Sequence, residues 1–384
     1  TLFPYTTLFR SDHGAMTDPT ATPRSSSMDA APSTTVLDGA AQPGQVPTLV
    51  AAARGQEVPH TPVWFMRQAG RSLPEYRALR EGNAMLEACR TPELCTEITL
   101  QPVRRHDVDA AIFFSDIVVP LHALGVDLDI VPGTGPVVAE PFRTRADLDR
   151  LPDLTADMVP DISESIAGVR SALRPDQALI GFAGAPFTLA SYLVEGGPSK
   201  NHERTKALMH GAPQLWNDLC ERLASIAGAF LQVQVDAGAD AVQLFDSWVG
   251  YLNRADYQRF VAPHSAAALA SVAGRVPRIH FGVGTGELLD LMGQAGAEVV
   301  GVDYRVDLAD ALERTGGRYA LQGNLDPALL FAPDEPLMAR VDEIVEAGRV
   351  APGHLFNLGH GVLPSTDPDV LTRVTARVHE TSAR

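Results

Sequence analysis

Residues 178–197 read ALIGFAGAPFTLASYLVEGG. The stretch begins with a short apolar run, Ala178–Phe182, which is typical of a strand that is covered on both faces. Gly184 and Pro186 then indicate a turn, and the apolar helical pattern that follows carries Tyr192. A strand, a tight turn and a helix in this order form the unit from which parallel α/β sheets are built.

The same unit recurs along the chain. Each further strand candidate is short, largely hydrophobic and followed within a few residues by glycine or a polar residue. Together with Ala178–Phe182 there are eight such runs. In chain order they are Val63–Met66, Ala110–Phe114, Ala178–Phe182, Ala241–Phe245, Arg278–Phe281, Val299–Val302, Tyr319–Gln322 and His354–Asn357. The segments between them have helical periodicity, as in Pro213–Ala237, and residues 126–138 predict a small hairpin. The pattern therefore predicts an α/β fold, a TIM-type (β/α)8 barrel in a single domain.

The beginning of the chain differs in composition from the rest. The segment before Met16, TLFPYTTLFRSDHGA, resembles translated non-coding or adapter sequence, so the native start is expected at Met16 or Met28. From Met16 to about Val46, Thr, Ala, Ser, Pro and Asp predominate, and such a segment buries too little apolar surface to offset the entropy of ordering. We expect residues 1–46 to be a disordered or non-native tail, and residues 47–384 to form the barrel.

Composition narrows the choice of partner and compartment. The 384 residues carry a formal net charge of −16, which argues against nucleic acid or an anionic membrane as the main partner. No apolar run approaches the roughly 20 residues that a membrane-spanning helix needs. The three cysteines form no C-x-x-C pair, which indicates a reducing cytoplasm rather than a disulfide framework. A polyanionic substrate would need a local cationic pocket, because the overall charge repels it.

A cluster of arginines follows the first predicted strand, in residues 62–80 (PVWFMRQAGRSLPEYRALR). Arg67 and Arg71 flank a loop of small residues, and Arg77 and Arg80 follow three residues apart. A guanidinium group pairs with a carboxylate through two parallel hydrogen bonds, and Gly and Ala allow a ligand to approach the backbone closely. The alternative, which is equally compatible with these residues alone, is a solvated loop whose arginines pair with nearby acidic residues, Glu75, Glu81 or Glu87.

Polar residues also follow several of the other predicted strands. They are Asp116, Asp246 and Ser247, Asn324, and His360. In a parallel barrel these positions share the C-terminal mouth, where active sites form, although an open doubly wound sheet also places sites at strand ends. Three of the candidate residues also have a structural alternative. An aspartate after a strand, such as Asp116, is more commonly a helix N-cap. Tyr192 could be a packing residue, and Asp246 could brace its loop.

Two of these segments resemble the signatures of the uroporphyrinogen decarboxylase family. Residues 62–71, PVWFMRQAGR, resemble the N-terminal signature, and residues 181–197 resemble the second. The likeness continues through FFSDI, QLFDSW, FGVGTG, QGNLDP and NLGHG in the family's order, and covers roughly residues 47–380. Ser72 departs from the pattern, because many relatives carry an aromatic residue there.

The resemblance implies a cytoplasmic TIM-barrel enzyme that usually forms homodimers with facing clefts. Such enzymes convert uroporphyrinogen III to coproporphyrinogen III by removing four acetate carboxyls as CO2, with no metal and no organic cofactor. Carried over, the substrate-binding residues are Arg67, Gln68, Ala69, Gly70, Arg71, Arg80, Asp116, Tyr192, Ser247 and His360. Asp116 would face the pyrrole N–H groups, and Tyr192 or a proton held by Arg67 would be the donor, a choice that the sequence leaves open.

Two other functions are compatible with a barrel of this kind. Related methyltransferases activate a thiol with zinc held by a His-x-Cys pair and a distant cysteine. None of the eleven histidines here is followed two residues later by cysteine, which argues against zinc ligation of that type. A non-catalytic porphyrinogen carrier would keep the arginines without needing Asp116, so the presence of Asp116, Tyr192 and His360 favours catalysis.

Overall fold

In the computed structural model, which describes residues 46–384, seven parallel strands lie side by side in the order in which they occur in the chain. A two-stranded antiparallel hairpin, β2–β3, is inserted after the first of them. The strands are β1 Ala110–Ile112, β2 Leu128–Val131, β3 Gly135–Val138, β4 Ala178–Gly184, β5 Ala241–Asp246, β6 Arg278–Gly282, β7 Val299–Gly301, β8 Ala320–Gln322 and β9 His354–Leu355.

Helices alternate with these strands and cover the outer face of the sheet. The α-helices are α1 Thr48–Ala53, α2 Pro74–Arg80, α3 Met85–Cys89, α4 Pro92–His106, α5 Val119–Ala123, α6 Arg145–Leu148, α7 Pro160–Ala172, α8 Pro186–Glu195, α9 Glu203–Gly211, α10 Pro213–Asp236, α11 Arg254–Phe260, α12 Ala262–Ala270, α13 Leu289–Gln294, α14 Leu308–Arg314, α15 Asp334–Gly348 and α16 Pro368–Ser382. Short 3-10 turns occur at Ala156–Met158, Val249–Tyr251 and Pro327–Phe331. Many of the α-helices have proline in the first turn, where its missing N–H costs no hydrogen bond.

The first predicted strand, Val63–Met66, is not a regular strand. Val63 forms a single parallel bridge with Phe356, and the N–H of Trp64 donates to the Phe356 carbonyl at 3.2 Å. On the other side, the N–H of Asp109 donates to the Val63 carbonyl at 2.9 Å. The segment therefore lies between β9 and β1 and closes the ring, but it turns away at once, because the Gln68 N–H bonds back to the Phe65 carbonyl.

The other predicted strands are present with shifted ends. Two examples are β8, which excludes Tyr319, and β9, which ends at Leu355. Toward the closing segment, a side chain replaces the backbone partner beyond Phe356, because the Met66 N–H donates to Asn357 Oδ1 at 3.0 Å. The predicted hairpin and the long helix after Pro213 are confirmed as β2–β3 and α10.

A polar chain crosses the otherwise apolar interior of the barrel. The Trp64 indole N–H donates to Gln322 Oε1 at 3.1 Å, and Gln322 Nε2 donates to Gln243 Oε1 at 2.8 Å. All three side chains are buried. The chain ties the closing segment to β8 and β5, so the predicted barrel closure is confirmed by side chains as well as by backbone.

The predicted tail, residues 1–46, lies outside the described residues except for Val46. Within the described part, Cys89, Cys95 and Cys220 are free, buried thiols. None of the helices of residues 46–384 is both long and apolar enough to cross a membrane.

Candidate active site

Two glycines determine the path of Arg67 in the loop after the closing segment. Arg67 has a φ of 61°, in the left-handed region that side chains rarely adopt. A Cβ on Gly70 would lie 2.8 Å from the Arg67 carbonyl oxygen, so the turn requires glycine there. A Cβ on Gly361 would lie 2.5 Å from Arg67 Cδ. The side chain of Arg67 therefore lies across the loop that carries His360.

Asp116 lies in the loop between β1 and α5. Its Oδ1 accepts a hydrogen bond of 3.1 Å from the Val118 N–H, and within residues 46–384 its other carboxylate oxygen has no hydrogen-bond partner. The first residue before α5 is Val118, whose side chain makes no cap bond, so the Asp116 carboxylate caps the turn that leads into this helix, in part as the helix-cap alternative expected. Although the residue keeps some solvent contact, burial raises the pKa of the carboxyl, and the Val118 N–H and the charge of Arg67 oppose the rise.

Tyr192 lies on α8, one turn after Thr188 and on the same helix face. The Thr188 hydroxyl donates to Asp246 Oδ1 at 2.9 Å, so Asp246 braces this helix, as the structural alternative expected. The buried ring of Tyr192 meets the ring of Trp248 edge-on, with 6.0 Å between centroids. Burial raises the pKa of Tyr192, and the negative charge of Asp116 adds to this rise. Tyr192 and Asp116 are therefore neighbours in the mouth.

His360 is half-buried in the loop that follows β9. Its Nδ1 accepts the Gly361 N–H at 2.8 Å, so a neutral ring carries its proton on Nε2. Burial lowers the pKa of His360, and the charges of Arg67 and Arg305 lower it further. The lowered pKa favours the neutral ring, and the Gly361 N–H orients it so that Nε2–H is the free donor. Ser247, half-buried after β5, adjoins Trp248.

The side-chain amide of Gln68, which the resemblance places at the substrate, instead bonds the backbone of the barrel. Its Oε1 accepts the Phe65 N–H at 2.9 Å, and its Nε2 donates to the Ala110 carbonyl at 3.0 Å. The side chain is fully buried. Its amide therefore holds the loop against β1, while Ala69 and Gly70, partly exposed beside it, leave backbone open to a ligand.

Three further arginines, Arg71, Arg77 and Arg80, follow Arg67 in the chain and are called the arginine rim below. A cavity of about 580 Å³ is lined by Arg71, Tyr76, Arg77, Arg80, Glu81 and Pro364. The Arg80 guanidinium lies 6.0 Å from the ring centroid of Tyr76. The cavity lining does not include Asp116, so the rim is a separate, outer part of the site.

The arginines of this segment lack acidic partners. Within the described residues, neither Arg67 nor any member of the arginine rim forms an ion pair, and Arg77 and Arg80 donate only to backbone carbonyls. Glu75, which the alternative reading paired with them, binds Arg105 at 3.3 Å instead. Elsewhere arginines are commonly paired, as in Arg170–Asp240. The acidic pairing that the alternative expected is therefore wrong for the described residues, although Arg67, Arg71 and Arg77 are exposed as it expected.

Sequence reasoning missed three residues that the structure places at the mouth. Arg77 was noted in its motif but left out of the site, and its position beside Arg80 would have suggested it. Trp248 packs on Tyr192. Arg305, close enough to lower the pKa of His360, follows β7 and pairs with Asp303 at 2.7 Å. Its place after a strand was the available signal.

These observations define an α/β-barrel enzyme with a cationic rim around one inner carboxylate. The chain belongs to the uroporphyrinogen decarboxylase (URO-D) family, whose model matches residues 45–381.

Relatives of high sequence identity carry the name of the same family. The chain is 66% identical over 334 residues to the uroporphyrinogen decarboxylase of Streptomyces griseus subsp. griseus, which covers 87% of this chain and 91% of that protein. It is 63% identical over 348 residues to that of Streptomyces coelicolor, covering 89% of this chain and 98% of that protein. Among solved structures it resembles a methyltransferase from Methanosarcina mazei, with a TM-score of 0.74 and 20% identity, covering 88% of this chain and 98% of that one. The last likeness concerns the fold alone.

Proposed function

We propose that this chain removes the four acetate carboxyls of uroporphyrinogen III as CO2, giving coproporphyrinogen III for haem and porphyrin biosynthesis, without a metal or organic cofactor in the reaction. The observation that carries the assignment of the site is that Arg67 and the arginine rim have no acidic partners within residues 46–384, while the charge of Arg67 acts on Asp116. The substrate is a macrocycle with eight carboxylates at its periphery and four pyrrole N–H groups at its centre. Its charge pattern is therefore the complement of this mouth.

The arginines supply affinity against an unfavourable overall field. The formal net charge of −16 repels a polyanion. Each charge-assisted hydrogen bond from Arg67, Arg71 or Arg80 contributes about 1.5–3 kcal/mol. Several such bonds together offset the repulsion. In this proposal the Nε2–H of His360 and the hydroxyl of Ser247 add neutral donors to the carboxylates of the substrate.

Decarboxylation requires an electron sink, and the pyrrole ring itself provides one. A proton added to a ring carbon creates a cation next to the acetate side chain. The bond to the carboxylate then breaks, its electron pair neutralises the ring, and CO2 leaves. The methylene carbon takes up a proton to become methyl and the ring carbon gives its proton up, so one proton is consumed for each CO2.

Asp116 is the group that stabilises the ring cation in this scheme. Its carboxylate has one oxygen without a partner in the described structure, and it lies in a partly water-excluded mouth, where a preorganised charge acts strongly. The same oxygens accept the pyrrole N–H groups and orient the macrocycle. Tyr192 and Arg67 are the two candidates for holding the proton that is transferred.

Anaerobic incubation with uroporphyrinogen III, followed by separation of products by carboxyl number, tests the proposal. We expect accumulation of the four-carboxyl product. Binding of the substrate without any loss of carboxyls would instead indicate a carrier. Y192F and R67M, compared in single turnover, distinguish the two candidate donors, because only loss of the true donor slows the first protonation.

We also propose a cytoplasmic homodimer whose mouths face each other. The proposal rests on the family resemblance. Among the large apolar side chains that are exposed in the described residues, Tyr251 at 47% and Leu363 at 37% lie in loops that follow barrel strands and are candidates for the contact. Sedimentation analysis of the wild type should give a dimer, and Y251D should shift it toward monomer. A wild type that is monomeric at micromolar concentration would contradict this.

A further inference from the structure

We propose that His60, Asp109 and His379 form a binding site for a zinc-type divalent transition-metal ion. The site lies at the end of the barrel opposite to the mouth, because Asp109 precedes β1 whereas Asp116 follows it. The sequence alone assigned no metal ligand. The inference therefore concerns a second site, separate from the decarboxylation chemistry.

Three ligand atoms already converge in this cluster. His60 Nε2 lies 2.7 Å from Asp109 Oδ1, and His379 Nε2 lies 2.8 Å from Asp109 Oδ2. One ligand atom from each of the three residues lies within 4.8 Å of the others. The two imidazole rings are 4.2 Å apart between centroids, tilted by 48°. Both nitrogens thus face the same carboxylate from one side of the cluster.

The chemistry of the ligands fits a borderline metal ion. Two imidazole nitrogens and one carboxylate, with a water in the fourth position, form a common tetrahedral zinc set. Zinc bonds of about 2.0–2.1 Å separate neighbouring ligand atoms by roughly 3.3 Å, so the cluster has to open by about half an ångström. A neutral imidazole moves its proton to Nδ1 on binding, and a charged one releases it to solvent.

The surroundings prepare the carboxylate and leave a path for the ion. The Val63 N–H donates to Asp109 Oδ2 at 2.7 Å and orients the group, as outer-shell donors do at metal sites. Both histidine side chains are 26% exposed, so solvent reaches the cluster.

An ion here would fasten the C-terminal helix to the barrel seam. His379 lies on α16, and Asp109 closes the seam by bonding Val63 in both directions. The same helix end already docks on this region, because the Thr61 N–H donates to Ser382 Oγ at 2.8 Å. The ligands come from distant parts of the chain, so metal binding stabilises the folded state over the unfolded one.

Zinc titration of the chelator-treated, full-length protein tests the site. We expect one equivalent of zinc to bind, measured by competition with a metal indicator, and Tm to rise by roughly 2–5 °C at a hundredfold excess over Kd. Decarboxylation should be unchanged by the chelator and by zinc. No saturable binding by the wild type would overturn the proposal.

Two variants distinguish a metal-binding site from a cluster that is held together only by hydrogen bonds to Asp109. H379Q keeps an N–H donor for Asp109 but removes the imidazole ligand, so we expect zinc affinity to fall by more than about tenfold while the metal-free Tm changes little. H60A should lower affinity similarly. H210A is the matched control, because His210 faces a single carboxylate, Asp256, at 3.4 Å without a third ligand. Unchanged zinc binding in H379Q and H60A would contradict the site.

Discussion

The positive charge of Arg67 counteracts the rise in pKa that burial causes in the Asp116 carboxyl. The same guanidinium opposes the burial-driven rise in the pKa of Tyr192 and adds to the lowering for His360. Because Gly361 leaves room for the Arg67 side chain, one cation acts on three titratable neighbours at the mouth.

Replacing Asp116 with asparagine should remove most of the activity. D116N keeps an acceptor for the Val118 N–H but loses the negative charge that faces the ring cation. We expect kcat to fall by about 10²–10³-fold, the usual effect of removing one preorganised electrostatic group. Product separation measures the rate, and circular dichroism with Tm checks the fold. Near-normal turnover of a folded D116N would refute the role of Asp116.

The acid limb of the pH profile should report Asp116. The scheme requires the carboxylate, so activity is present above its pKa and is lost as the pH falls through it. Because this pKa is raised, the limb should lie at higher pH than for an ordinary aspartate. R67M removes the opposing charge and should move the limb higher still. The profile of kcat/KM against pH tests this, and an R67M limb at or below that of the wild type would be incompatible with it.

Removal of a rim arginine should weaken substrate binding more than turnover. R71M, R77M and R80M should each raise KM by about tenfold or more, since a charge-assisted bond contributes roughly 1.5–3 kcal/mol, with smaller changes in kcat. R275M is the matched control, because Arg275 precedes β6, at the end of the barrel opposite to the mouth, and pairs with Asp236 at 2.6 Å. Equal KM values for R80M and R275M would contradict a role for the rim in binding.

The sequence was sufficient to predict the barrel strands, but not the irregular segment Val63–Met66 that closes the barrel between β9 and β1. Apolar runs between helical patterns correctly indicated parallel strands, because strands covered on both faces must be apolar throughout. Val63–Met66 has the same composition, yet it makes only one bridge, since the side chains of Asp109 and Asn357 replace backbone partners there. A hydrogen bond between a side chain and a distant backbone leaves no periodic signal.

At the site, the residue types can be predicted from sequence, but the direction of their atoms cannot. Arg67 and Asp116 are predicted site residues because each is a charged residue that follows a strand, and in the structure the charge of Arg67 acts on Asp116. Gln68 was chosen from the same motif, but its amide bonds the Ala110 carbonyl, a contact that only the packed barrel creates. His60 and His379 reach one carboxylate from opposite ends of the described chain, so no spacing rule connects them.

Thr188 should matter for stability and, through α8, for Tyr192. Its hydroxyl donates to the fully buried Asp246, whose Oδ2 has no hydrogen-bond partner within residues 46–384. T188V removes the donor and keeps the side-chain volume, so the buried carboxylate loses compensation worth about 1–3 kcal/mol of the free energy of unfolding. T188S retains the hydroxyl and should retain the Tm. Thermal unfolding compares the three proteins, and a T188V variant as stable as T188S would show that this hydrogen bond does not hold the helix. If it does hold it, kcat should fall in T188V and stay near the wild-type value in T188S, because only T188V loses the side-chain hydrogen bond between α8 and β5.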